Sequence, residues 1–161
     1  MLRVVPPARP RKLAKVPFVE LAAGRLQGVV SSGSDISRVY VSSVAAAGFG
    51  FSCNTNNNRP CGGLRGGFCN HILALVNEAV VQYGGARVAR YLQIDVSDAD
   101  PAAHQLAAAM SAVHPAQAED GKAVTGQVFS RFLRHLAYLE LAATTAPLPE
   151  MHWFPSAGAV A

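Results

Sequence analysis

Hydrophobic positions change their period along this chain, and each change predicts an element. Phe18, Leu21, Ala22, Leu26, Val29 and Val30 recur three and four apart, which predicts a short amphipathic helix. SSGSD, residues 31–35, breaks it with a turn. Residues 36–44, ISRVYVSSV, alternate Val39 and Val41 with Arg38, Tyr40 and Ser42 and are rich in β-branched side chains, so they predict a strand. AAAGFG, residues 45–50, supplies a glycine-bearing turn, and residues 49–53 return as a second strand. The resulting hairpin delivers Cys53.

Residues 54–68 hold four asparagines and four glycines, both tolerant of positive φ, so the segment can fold back on itself. It has too few apolar side chains to order itself. A helical period then returns over 70–85: Ile72, Leu75, Val76, Ala79 and Val80 form one apolar side, and Gly84 or Gly85 fits the stop. ARVARYLQ predicts another short helix. DADPAAHQLAAAMSAVH predicts a third, with Asp100 as N-cap and Pro101 at the first helical position. The longest helix carries Val128, Phe129, Phe132, Leu133, Leu136 and Leu139 on one stripe. The fold expected is α+β and mostly helical: a small β-hairpin plus helix, tied together through the loop between them and packed with several α-helices.

Composition sets bounds on this picture. With 161 residues, 50% hydrophobic and 15% charged, the chain suits one globular core rather than disorder. No apolar run reaches the roughly 18–20 residues of a membrane helix. The basic start lacks the apolar segment of a secretion signal, so a cytoplasmic location is expected. Arg3, Arg9, Arg11, Lys12 and Lys15 lie in the first 16 residues with no acid among them; the remaining nine basic residues meet ten acidic ones. The net charge of +4 therefore belongs to an arm, not to a basic domain face. The organisation expected is a basic flexible arm over 1–16, one domain over 17–146 with a finger core at 36–84, and a proline and aromatic tail over 147–161.

All three cysteines lie within 17 residues, followed closely by a histidine. Cys53, Cys61, Cys69 and His71 are spaced C-x7-C-x7-C-x-H and make a Cys3His donor set, the kind that holds zinc in a tetrahedron. An odd number of cysteines argues against a disulfide framework. Cys69 is expected just before or at the first turn of the helix, with His71 reaching back from its start. A helix N-terminus favours thiolates there. Arg59 and Arg65 could offset the remaining negative charge of three thiolates around one Zn2+.

These residues resemble the SWIM zinc finger. The matching pieces are VYVSSV, FSC and, above all, CNHILALV, which is similar to the family's C-x-H opening an aliphatic helix. The resemblance covers residues 36–83. The family's first pair is C-x-C, whereas here Asn54 and Thr55 follow Cys53 and Cys61 fills the second place. The resemblance implies Zn2+ held by Cys53, Cys61, Cys69 and His71, in a nucleic-acid or protein interaction module that is not itself catalytic. Some bacterial members are associated with AAA-type ATPases and von Willebrand A domains, which implies an adaptor role and a protein partner.

Other readings stand beside this one. The cluster could be three core cysteines near a capping histidine, or an iron–sulfur or redox thiol site. A Cys69–His71 catalytic pair is disfavoured, because nucleophilic dyads normally unite residues distant in sequence. A nucleic-acid-binding protein would use Arg9, Arg11, Lys12, Arg59 and Arg65 on phosphates, yet no basic stripe with interleaved aromatics continues into the body. His104, His114 and His135 have no partner at metal spacing. In PLPEMHWFP, Trp153 and Phe154 are apolar anchors on a proline-stiffened segment, suited to docking on a partner or to strapping across the helices.

Overall fold

The computed structural model describes residues 13–32, 38–113 and 119–140. Four antiparallel strands in the order β1-β2-β3-β4 form one sheet: β1 Phe18–Ala22, β2 Arg25–Ser31, β3 Val39–Ala45 and β4 Phe51–Thr55. Four helices follow: α1 Asn70–Tyr83, α2 Gly85–Leu92, α3 Ala103–Val113 and α4 Lys122–Glu140. The fold is α+β, as expected, but a four-stranded sheet stands at its centre in place of a single hairpin among helices.

The expected helix at Phe18–Val30 is instead the β1–β2 hairpin. Ala22 pairs with Arg25 around Ala23 and Gly24, whose φ angles of 52° and 69° are both left-handed. A two-residue turn with positive φ at both positions matches the twist of the flanking strands. Both faces of β2 are covered, so it lacks the clean alternation of a half-exposed strand, and its apolar residues mimic a helical spacing.

Side chains alternate across the sheet. Val19, Leu26, Val30, Val44, Phe51 and Cys53 point into the main core with α1, α2 and α3. Val29, Val39 and Val41 point the other way, onto Val128 and Phe132 of α4. The helix α1 buries Ile72, Leu75, Val76 and Ala79, the face expected from its sequence. Each large aliphatic side chain so buried contributes about 1.5–3 kcal/mol.

Several local expectations are corrected. The strand β4 starts at Phe51 rather than Phe49, whose φ of 54° belongs to the turn. Asp100 does not cap α3; its carboxylate accepts the Ala86 N–H and so closes the start of α2. The helix α3 begins at Ala103, where Gln105 Oε1 reaches back to the Ala102 N–H. On α4, Val128 and Phe132 are buried, but Leu133 and Leu139 are exposed. The chain is already attached to the sheet before Phe18, since Lys15 O accepts the Ser31 N–H at 2.8 Å and Val16 is buried. Among the described residues no helix is long and apolar enough to cross a membrane.

Candidate metal centre

The sheet register places Cys53 opposite Ser42, with its side chain on the α1 face. The chain then folds back on β4. Thr55 N–H bonds to Arg59 O at 2.8 Å, Arg59 N–H to Thr55 Oγ1 at 3.1 Å, and Asn58 sits at φ 59°. This is the tight reversal expected of an asparagine-rich stretch. A bridge between Asn54 and Pro60 and the 2.9 Å bond from Cys61 N–H to Cys53 O bring Cys61 beside Cys53.

The rest of the loop is less dependent on outside help than its composition suggests. Phe68 packs edge-on against Phe51, ring centroids 5.1 Å apart, and Leu64 also reaches the core. Gly63 lies so close that a Cβ there would stand 3.1 Å from Cys69 Cβ and 3.5 Å from Cys61 Sγ. Cys69 is the N-cap of α1 in an extended conformation, and His71 sits in the first turn, as expected.

All four ligand atoms lie within 4.8 Å of one another, and the three cysteines are free rather than disulfide-bonded. His71 Nδ1 is 3.7 Å from Cys53 Sγ and 3.4 Å from Cys61 Sγ. A tetrahedral centre with metal–sulfur bonds of about 2.3 Å and metal–nitrogen bonds of about 2.0–2.1 Å has a sulfur–nitrogen edge of about 3.6 Å. The two distances bracket that edge, so His71 stands correctly to Cys53 and Cys61 for such a centre, and with Cys69 the four residues could hold a metal ion. Cys53 and Cys69 are buried, while Cys61 and His71 keep partial exposure.

The metal-free electrostatics point the same way. The hydrogen bond from Cys53, opposed by burial and aided by His71 and the amides of Ile72 and His71, pulls the Cys69 thiol down to about 4. Those amides face the sulfur without closing a side-chain capping bond. The same hydrogen bond, together with burial, pushes the Cys53 thiol up, against the Ser42 hydroxyl. A bound cation would favour thiolate at every cysteine.

Three groups that support the ligands were not singled out from the sequence. Tyr40 stacks on the His71 ring. Ser42 Oγ donates to Cys53 Sγ at 3.3 Å, and Gly63 N–H donates to Cys61 Sγ at 3.4 Å. The alternation in β3 already put Tyr40 and Ser42 on one face; only the register shows that this face meets the cysteines.

Arg59 and Arg65 are exposed and form no ion pair among the described residues. His104 is exposed, the His135 ring lies 5.6 Å from Phe18, and neither belongs to a metal-capable cluster among the described residues. Arg9, Arg11, Lys12, His114, Trp153 and Phe154 lie outside the described residues. Set against models of protein families, curated proteins and solved structures, the chain matches none of them.

Proposed function

We propose that this chain is a zinc-binding, non-catalytic interaction module of the SWIM type, acting as an adaptor in a protein complex. One observation carries the reading: a hairpin end, a folded-back loop and a helix N-terminus bring three thiols and an imidazole within 4.8 Å. Zinc suits this donor set, being borderline-soft and free of any geometric preference against a tetrahedron. Four protein donors leave no coordination position for a reacting group, as in structural zinc sites. The ion would supply a cross-link among β4, the 54–68 loop and α1.

In this reading Cys61 takes the place that the SWIM pattern gives to the second cysteine of C-x-C; the fold-back at Asn54–Pro60, which brings Cys61 beside Cys53, supports it. Three free thiols suit a reducing compartment, so we place the protein in the cytoplasm. Leu133, Tyr138 and Leu139 are exposed on α4, the last helix before the proline and aromatic tail in sequence, and this is the end we assign to partner contact.

Metal analysis of the purified full chain should find one zinc per chain and no colour. A brown protein containing iron and sulfide would replace this reading with an iron–sulfur one, and a chain without stoichiometric metal would end both. Capture of partners from the native host should fail for the chain lacking 147–161 and for Trp153→Ala, with thermal stability unchanged. Binding to DNA with a steep salt dependence would favour the nucleic-acid reading instead.

A further inference from the structure

A cleft of about 510 Å³ opens at the end of the β3–β4 hairpin, where Tyr40 pairs with Thr55. Its polar lining includes Arg38, Tyr40, Thr55, Asn56, Asn57 and Arg59, with no acidic side chain among the described residues that line it. Arg38 and Arg59 are both exposed, and neither is in an ion pair among the described residues. Their charge is not the spill-over of a basic surface, because outside the first 16 residues the chain carries nine basic and ten acidic residues.

The walls are held by backbone hydrogen bonds. Asn56 N–H bonds to Val39 O at 3.2 Å and Ser32 N–H to Arg38 O at 3.1 Å. Arg59 is fixed through both its N–H and its carbonyl to Thr55. Two arginines therefore project from built backbone beside amide and hydroxyl donors. Guanidinium groups match phosphate oxygens in fork geometry, and two of them balance the double charge of a phosphate monoester. The volume exceeds what a bare phosphate fills and falls in the range of about 300–1,000 Å³ used for small organic ligands.

We infer that this cleft binds the phosphate group of a nucleotide-sized ligand, clamped by Arg38 and Arg59 and flanked by the side-chain amides of Asn56 and Asn57. The lining includes no metal ligand, although Tyr40 also stacks on His71, so the arginine variants test the cleft separately from the metal centre.

The test is calorimetric titration of the full, metal-loaded chain with inorganic phosphate, adenosine monophosphate, adenosine and a ten-residue oligothymidylate. Adenosine monophosphate should bind at least about tenfold more tightly than adenosine, and Arg38→Gln or Arg59→Gln should each remove about tenfold or more of that affinity. Arg65→Gln, outside the cleft lining, should leave it unchanged. Equal metal content across the variants checks that each is folded. If the oligonucleotide binds more than about tenfold tighter than the mononucleotide, with a steep salt slope, the cleft stands and its phosphate comes from a strand. Phosphate-bearing probes that bind no better than adenosine overturn the inference. So does wild-type affinity in both arginine variants.

Discussion

Tyr40 lies flat on the imidazole of His71, ring centroids 3.8 Å apart and planes 17° from parallel. The strand β3 thus sets the orientation of a candidate ligand that belongs to α1, with Nδ1 near the sulfurs of Cys53 and Cys61. Groups that hold a ligand ring in place typically govern about 10–100-fold of metal affinity. Tyr40→Ala should weaken metal binding by that order in a chelator competition, and Tyr40→Phe, which keeps the stacked ring, should restore it. Equal affinity in both variants would show that the stack is incidental.

Loss of a ligand should be felt locally. In Cys69→Ser, amide exchange across 54–68 and the first turn of α1 should rise by an order of magnitude or more, because the fold-back and the helix start lose their common tie. The helix α4 should stay protected, since Val128 and Phe132 pack on the opposite face of the sheet in a separate cluster. Exchange that rises equally in α4 and in the loop would contradict this partition.

The metal-free protein should show a pH optimum set by the Cys53–Cys69 pair. The folded state keeps Cys69 ionised down to about 4, whereas an unfolded thiol takes up its proton below the usual 9.0. This depressed group contributes stability that is full above 9.0 and is lost as pH falls toward 4. Cys53 is raised, so its contribution is full below the ordinary thiol value and declines above it. Stability of the chelated protein should therefore climb from pH 4 toward pH 9 and turn down beyond it. Denaturant titrations of the chelated chain and of Cys53→Ala across that range provide the check; an identical pH profile in the two would remove the pair as the cause.

Gly28 is enclosed on two sides, by the backbone of β1 and by α1. A Cβ at that position would overlap the Phe18 carbonyl oxygen and stand 2.7 Å from Leu75 Cδ1. Gly28→Ala should cost about 1–3 kcal/mol through overpacking. Gly62→Ala, where an added Cβ meets nothing within 4 Å, should cost far less. Thermal unfolding of the two variants compares them directly, and equal melting temperatures would refute the close-packing account.

The donor chemistry and the helical period of residues 70–83 were legible without a structure, because both are local; the same period over residues 18–30 misled. Cys53, Cys61, Cys69 and His71 stand out as a donor set by residue type and spacing, and α1 follows from apolar positions three and four apart. The β3–β4 hairpin also follows from alternation and a turn, to within two residues at its second strand.

What the chain alone did not decide is wherever a residue's role depends on a distant partner. The strand β2 carries buried side chains on both faces because α1 and α4 cover opposite sides, and that erases the alternation by which a strand is read. Asp100 has the chemistry of an N-cap, but the fold gives its carboxylate to Ala86 of the neighbouring helix. Tyr40 on His71, and Arg38 facing the same cleft as Arg59, are cross-strand and strand-to-helix relations. Residue type and spacing along one segment determine donors and periods; only the closure of long loops, with the register that closure selects, determines which side chains meet.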